Sequence, residues 1–196
     1  MWVGPLTESL AKVGAPHDFV RAEKTSGGWE RNTLRKPQMV ERAMLRHPKS
    51  TVIFLDVDAV VLGSLSELVE VEADVAMYFA VKRKANGNHG LFARSGTMVL
   101  RPTPMARIFV HNWLSLSHEA PRGWVDQSTL LEAFWRTPGV TVGQIDVRYC
   151  ATRKDRVPDP VVLHHQGSAN GRKMPPWLPW LSSVVPIMGT RKRLGA

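Results

Sequence analysis

The stretch Thr51-Val52-Ile53-Phe54-Leu55-Asp56-Val57-Asp58 carries most of the information about this chain. A run of β-branched and apolar residues leads directly into two aspartates spaced i, i+2, and such a run predicts a strand buried on both faces. Open α/β sheets place their ligand sites at the carboxyl ends of strands, where these aspartates fall. Neighbouring carboxylates repel each other and favour a divalent cation, Mg²⁺ or Mn²⁺. The stretch therefore predicts a metal site at a strand end.

Helical and strand patterns alternate on both sides of this stretch. Helices are predicted over Pro5–Val13, from about Pro37, after Pro104 and from Asp126, which is expected to be the N-cap of its helix. Strands are predicted over Asp74–Val81, Thr97–Leu100, Gly139–Val147 and Val161–Leu163. Alternation of this kind is typical of an α/β fold with a mostly parallel central sheet. We expect one α/β domain over residues 1–174 and a basic tail rich in Pro and Trp over residues 175–196.

The charge balance is strongly basic. The 196 residues include 26 Lys and Arg against 17 Asp and Glu, which gives a formal net charge of +9. This surplus suits an anionic partner, such as a phosphorylated small molecule, an acidic membrane surface or a nucleic acid. The basic residues form small, scattered groups with no aromatic residues interleaved among them, so we expect no nucleic-acid partner.

The cysteine count and the C-terminal tail indicate where in the cell the protein is expected. Cys150 is the only cysteine, so no intrachain disulfide can form, and a reducing compartment is favoured. No signal-peptide pattern occurs at the start. Trp177 and Trp180 would suit a membrane interface, while the prolines around them make the tail too interrupted to span a bilayer. We expect a cytoplasmic protein, with peripheral contact at the inner membrane surface as an open alternative.

One family that the stretch resembles is the haloacid-dehalogenase-type phosphatases. Phe54–Val61 is similar to their opening motif, in which Asp56 would be the nucleophile and Asp58 the general acid. That family's strand normally opens the domain, whereas here it follows two predicted helices. Its Mg²⁺ site also needs a later acidic pair, for which Asp155 and Asp159 are the late candidates. A phosphatase is therefore the alternative interpretation.

A second resemblance covers most of the chain. The helix opened by Arg35-Lys36-Pro37, and the strand with Asp56-Val57-Asp58, resemble nucleotide-sugar glycosyltransferases of the GT-A fold. The later segments that also resemble this family are Ser95-Gly96-Thr97-Met98-Val99-Leu100, Trp124-Val125-Asp126-Gln127 and Leu163-His164-His165-Gln166-Gly167. The order and spacing of these segments together carry the resemblance.

The resemblance implies a metal-dependent sugar transfer. A nucleotide diphosphate sugar loses a diphosphate, whose growing charge a divalent metal neutralises as a Lewis acid. In the family the last aspartate of the motif binds the metal, and the first reaches the ribose or a metal-bound water; these roles fall on Asp58 and Asp56. The family's late histidine completes the metal shell, and His164 fits its spacing, with His165 adjacent. Imidazole is a reasonable Mn²⁺ ligand, and only one of the two residues can readily face the metal from a strand.

The family places acceptor-binding or catalytic groups at the segment that holds Asp126 and Gln127. In an inverting enzyme Asp126 would be the general base that deprotonates the acceptor hydroxyl. In a retaining enzyme Asp126 or Gln127 would instead flank the reactive face of the sugar.

The resemblance also implies a donor site. The donor would be a nucleotide diphosphate sugar, UDP-sugar being the commonest choice in the resembling families, and the acceptor a glycan, lipid or protein. The residues expected to contact the donor are Arg35, Lys36, Asp56, Ser95, Gly96, Gly167 and Lys173, with Arg172 as a further candidate for the diphosphate.

The start of the chain departs from the family pattern. Family members usually begin with a strand that holds the nucleotide base, whereas here the helix over Pro5–Val13 comes almost at once. We therefore expect a GT-A-like α/β domain that is N-terminally truncated and lacks the first strand. Besides the phosphatase, this leaves a third hypothesis, a degenerate member that binds sugar nucleotides without turnover.

Overall fold

The computed structural model describes residues 3–19, 28–83 and 87–165. Its helices are α1 (Val3–Lys12), α2 (Gly28–Thr33), α3 (Lys36–Arg46), α4 (Ser66–Val69), α5 (Pro104–His118) and α6 (Asp126–Trp135). Its strands are β1 (Val52–Leu55), β2 (Ala59–Val61), β3 (Val75–Arg83), β4 (His89–Leu100), β5 (Val142–Gln144), β6 (Ala151–Thr152) and β7 (Val162–His164), with a short 3-10 helix over Val147–Cys150. The predicted tail over 175–196 lies outside the described residues.

The strands form two sheets. The larger sheet has the order β1-β4-β3-β5, and the smaller has the order β2-β7-β6. The predicted α/β domain with helices around its sheets is confirmed, but the expectation of mostly parallel pairing is wrong for the described residues. β4 is antiparallel to both β1 and β3, and β2 is antiparallel to β7, whereas only β3–β5 and β6–β7 are parallel. For β3 and β4 the reason is the connection between them, which is far shorter than a parallel crossover requires.

The larger sheet is covered on both faces. Alternate residues of β1 point to opposite sides, so Val52 and Phe54 join one apolar cluster while Ile53 and Leu55 join the other. The first cluster contains the inner faces of α3, α5 and α6, and the second contains that of α1. This two-sided burial explains why the whole of β1 is apolar, as the sequence predicts.

The helix after Thr103 is well specified by its sequence. The Thr103 hydroxyl accepts a hydrogen bond from the Ala106 backbone N–H at 3.1 Å, and Pro104 supplies the first helical residue. Phe109 and Trp113 are then fully buried against the sheet. Across the described parts of the chain, no helix is both long and apolar enough to cross a bilayer.

Candidate active site and metal centre

Backbone pairing brings the distant sequence segments to one place. β1 runs antiparallel to β4 with Leu55 opposite Thr97, and beyond the strand the Asp56 N–H donates to the Gly96 carbonyl at 2.8 Å. On the other side, Ala59 pairs with His164, and the His165 N–H donates to the Asp58 carbonyl at 3.1 Å. The Asp-x-Asp turn therefore lies between the Ser95-Gly96-Thr97 segment and the late histidine.

Asp56, Asp58 and His164 form a group that can hold a metal ion. Each offers one ligand atom, and these atoms all lie within 4.8 Å of one another. The Nδ1 atom of His164 lies 3.6 Å from Oδ1 of Asp58. His164 is buried, while Asp56 keeps about a third of its side chain exposed, at 35%. Two carboxylates and an imidazole are the donor set that Mn²⁺ and related divalent ions accept, so the residues fit the predicted cation.

The charges at this site also fit a divalent cation. The carboxylates of Asp56, Asp58 and Asp126 lie together with one lysine, Lys36, which leaves two negative charges when His164 is neutral. Burial raises the pKa of Asp56; Lys36 opposes that rise, and the nearby Asp58 charge adds to it. Burial alone would lower the pKa of His164, but Asp58 and the Cys150 thiol outweigh it and raise that pKa to about 10. The His164 shift reports the negative charge of Asp58 beside the ring, whereas the Asp56 shift comes first from burial.

Lys36 is the centre of a buried network. Its Nζ lies 2.9 Å from Asp56 Oδ1 and 2.8 Å from Asp126 Oδ2, and it donates to the Ser95 hydroxyl at 3.1 Å and the Ser95 carbonyl at 3.2 Å. Burial disfavours the charged ammonium, but Asp126 and Asp56 outweigh burial and raise the pKa of Lys36 above its usual range. The ammonium also lies 5.3 Å from the centre of the Phe54 ring. The contact of Lys36 with the donor remains a prediction. Within the protein, its ammonium contacts Asp56, Asp126 and Ser95.

Asp126 does not cap its helix as expected. Val125 occupies the N-cap position, and no side chain makes a capping hydrogen bond there. Asp126 is the first residue of α6 and is 5% exposed, and its Oδ2 accepts a 2.6 Å hydrogen bond from the Ser95 hydroxyl in addition to the Lys36 ion pair. Its carboxylate is thus oriented by residues from α3 and β4 instead of by its own helix. The neighbouring Gln127 is half-buried.

The His164 ring packs directly against Gly96. A Cβ atom added to Gly96 would lie 2.9 Å from Cε1 of His164, closer than real Cβ atoms approach, and 3.1 Å from Nδ1, which is tighter than most real contacts. Only glycine leaves room for the imidazole at its observed position. This gives the predicted Ser95-Gly96 segment a physical role: Ser95 contacts Lys36 and Asp126, and Gly96 admits His164.

The remaining predicted residues fall elsewhere. Arg35 lines a separate groove with a volume of about 320 Å³, together with Arg31, Gln38 and His118, while its neighbour Lys36 points toward the strand ends. The predicted contacts of Gly167, Arg172 and Lys173 lie outside the described residues.

Thr97 is a site residue that the sequence did not single out. It is fully buried, and its hydroxyl lies 2.9 Å from His164 Nε2. The only available signal was its place directly after Ser95-Gly96, because a β-branched residue in a strand is otherwise unremarkable.

The acidic residues required by the phosphatase alternative are not part of this group. Asp155 accepts hydrogen bonds from both terminal nitrogens of Arg94, at 2.6 and 2.7 Å, and from Thr152. Asp159 stands in a loop with a left-handed backbone conformation (φ 47°). Within the described ranges, the metal-compatible group comprises Asp56, Asp58 and His164 alone.

Comparisons with solved structures show a similar fold. The fold is similar to a crystal structure of a glycosyltransferase involved in the glycosylation of the major capsid of PBCV-1, with a TM-score of 0.64 and 15% identity over 88% of this chain and 92% of that one. Two structures of the glycosyltransferase GlyE from Streptococcus pneumoniae TIGR4, one in the apo form, match at 19% and 20% identity, each with a TM-score of 0.43 over 63% of this chain and 36% of theirs. A search of curated protein sequences gave no match.

The sequence itself matches a family model over most of its length. The model describes nucleotide-diphospho-sugar transferases and matches residues 7–174, which include every element of the site described above. The chain is therefore a glycosyltransferase that belongs to the nucleotide-diphospho-sugar transferase family.

Proposed function

We propose that this enzyme transfers a sugar from a nucleotide diphosphate sugar in a reaction that depends on Mn²⁺ or Mg²⁺ held by Asp56, Asp58 and His164. The observation that carries the proposal is the convergence of these side chains, with their ligand atoms within 4.8 Å of one another at the end of β1. The family supports a nucleotide-sugar donor, and UDP-sugar is our first choice among donors.

Each side chain of the site has a distinct part in this proposal. Asp58, His164 and Asp56 would hold the cation, and Lys36 keeps the Asp56 carboxylate in place. When bound, the cation supplies positive charge that offsets the charge of the departing diphosphate. Asp126, oriented by Ser95 and Lys36, is the residue we propose to face the reacting sugar or the acceptor hydroxyl. The acceptor would be a glycan, lipid or protein.

The cation site is tested first, without the reaction. Binding of Mn²⁺ is followed by the loss of the free-ion electron paramagnetic resonance signal for the wild type, Asp58→Asn and the control Asp159→Asn. The control removes a carboxylate outside the cluster at a left-handed position, which asparagine accepts well. We expect binding by the wild type and the control and its loss in Asp58→Asn. Equal Mn²⁺ binding in all three proteins would refute the metal assignment.

The donor is tested separately by calorimetry with UDP and GDP, each with and without Mn²⁺. We expect one nucleotide to bind in the presence of Mn²⁺ and to lose most of its affinity without it, because a cation held by the carboxylates would offset the charge of the diphosphate. Release of nucleoside diphosphate from the matching nucleotide sugar then measures turnover, and Asp126→Asn should lower turnover more than donor affinity. Nucleotide binding that is indifferent to the metal would contradict the proposal.

A further inference from the structure

Thr97 and His164 meet in the interior of the site. Thr97 lies on β4 opposite Leu55 of β1 and is fully buried, and its Oγ1 is 2.9 Å from Nε2 of His164. The other ring nitrogen, Nδ1, lies 3.6 Å from Oδ1 of Asp58. The two nitrogens of one imidazole therefore face different partners, the Thr97 hydroxyl on one side and the Asp58 carboxylate on the other, and the Cys150 thiol also interacts with the ring.

We propose that Thr97 is a positioning residue that holds the Nε2–H form of His164, so that the lone pair of Nδ1 is directed toward the cation. A neutral imidazole carries one proton, and the hydrogen bond made by one nitrogen decides which nitrogen is available to a metal. In this form the Thr97 hydroxyl oxygen, 2.9 Å from Nε2, accepts the Nε2–H, and Nδ1 carries no proton. This inference rests on the cation site proposed above.

The position of the His164 ring is fixed by its neighbours. Gly96, directly before Thr97, receives the imidazole so closely that even one added carbon would lie 2.9 Å from Cε1. The backbone of His164 is held by its pairing with Ala59. With one face of the ring against Gly96 and one nitrogen against Thr97, Nδ1 is fixed on the Asp58 side. Consecutive residues of β4 thus set both the position and the protonated nitrogen of the histidine.

The matched variants are Thr97→Val and Thr97→Ser. Valine keeps the shape and the strand preference of threonine but removes the hydroxyl, whereas serine keeps the hydroxyl. Because removal of a hydrogen-bond partner of a metal ligand typically weakens metal binding about 10- to 100-fold, we expect a loss of that size in Mn²⁺ affinity for Thr97→Val. For Thr97→Ser we expect an affinity close to that of the wild type, which a merely structural role of the threonine methyl would not produce.

A spectroscopic measurement tests the protonated nitrogen directly. In protein labelled with ¹⁵N at histidine and loaded with diamagnetic Mg²⁺, long-range ¹H–¹⁵N correlations distinguish a protonated Nε2 from a protonated Nδ1, and the His164 signals are assigned by their absence in His164→Asn. We expect the Nε2–H form in the wild type and in Thr97→Ser. This measurement on the wild type stands even if Thr97→Val does not fold.

The outcomes separate this inference from the proposed function. If the wild type binds no Mn²⁺, the proposed cation site fails and the inference fails with it. If the wild type binds Mn²⁺ but Thr97→Val binds it equally well, the inference alone is overturned. An Nδ1–H form of His164 in the Mg²⁺-loaded wild type overturns it as well.

Discussion

Lys36 and Asp126 form a 2.8 Å ion pair that joins the first residue of α3 to the first residue of α6. Both side chains are almost fully buried, and the same ammonium contacts Asp56 of the proposed cation site. The pair therefore connects the residue we propose to act on the sugar with a residue we propose to bind the metal. Lys36 thus compensates two carboxylates, the buried Asp126 and the partly exposed Asp56.

Replacement of Lys36 by methionine tests this compensation. Methionine fills a similar volume but leaves Asp56 and Asp126 without their positive partner, and breaking a buried pair in this way typically costs about 3 to 5 kcal/mol. We expect Lys36→Met to lower the free energy of unfolding by an amount in this range, measured by urea denaturation. Lys36→Met combined with Asp126→Asn should recover part of the loss, because one uncompensated charge is removed. Strictly additive losses in the double variant would contradict the coupling.

Gly96→Ala tests the close packing of the His164 ring against Gly96. The added methyl group would fall 2.9 Å from His164 Cε1, so either the ring or β4 must shift, and overpacking of this kind typically costs about 1 to 3 kcal/mol. We expect lower stability in urea and weaker Mn²⁺ binding. Gly63→Ala is the control, because its added carbon would meet Val161 Cγ1 at an ordinary 3.5 Å. A Gly96→Ala protein that binds Mn²⁺ as tightly as Gly63→Ala would count against the proposed ligand role of His164.

The sequence predicted which residues lie near the site better than it predicted the contacts that they make. The apolar run before Asp56 and Asp58 and the later positions of Gly96, Asp126 and His164 were visible as separate segments, and backbone pairing brings them together. Their convergence comes from the antiparallel pairing of β1 with β4 and of β2 with β7, which the separate segments do not reveal.

The errors came from inferences that used only local sequence. Asp126 reads as a helix cap when only its own helix is considered, but its partners are Lys36 and Ser95, both far away in the chain. The sequence predicted a donor contact for Lys36 but not its buried ion pairs, because burial of a lysine depends on carboxylates supplied by other elements. The mostly parallel sheet was expected from the alternation of elements, which does not reveal that β3 and β4 form a hairpin.

Asp74 gives the fold a specific response to acid. Its carboxylate accepts hydrogen bonds from the hydroxyls of Thr103, at 2.6 Å, and Thr141, at 2.7 Å, which tie the start of β3 to the cap of α5 and to the chain before β5. Burial acts to raise the pKa of Asp74, but these hydrogen bonds outweigh it and lower that pKa. A carboxyl group with a lowered folded-state pKa stabilises the fold fully above its unfolded pKa, about 3.9, and loses this contribution as the pH falls through the folded value.

Asp74→Asn should therefore reduce stability by about 1 kcal/mol at neutral pH, because asparagine cannot accept on both sides. The difference in free energy of unfolding between the wild type and the variant should shrink as the pH falls below about 4. Urea denaturation over a series of pH values measures it. A difference that stays constant through the acidic range would show that Asp74 is not responsible.

Arg94→Lys tests the anchor of the segment beside His164. Arg94 donates from NH1 and NH2 to the two oxygens of Asp155 and from NH1 to the Cys150 carbonyl at 2.8 Å, so it holds both ends of the turn that contains β6. β6 in turn pairs with β7, with Thr152 opposite His164. The Arg94 hydrogen bonds also keep the pKa of Asp155 well below its usual range, so this anchor persists into acid.

Lysine retains the positive charge of Arg94 but cannot form the two parallel hydrogen bonds, and hydrogen bonds to charged groups contribute about 1.5 to 3 kcal/mol each. We expect Arg94→Lys to increase amide hydrogen exchange in β6 and β7 first, before the larger sheet is affected. Arg136→Lys is the control, because the exposed Arg136 makes a single 3.3 Å ion pair with Glu132 that is worth little. Faster exchange confined to β6 and β7, together with weaker Mn²⁺ binding, would show that Arg94 supports the His164 side of the site. Unchanged exchange there would mean that the β2–β7 pairing alone holds the histidine in place.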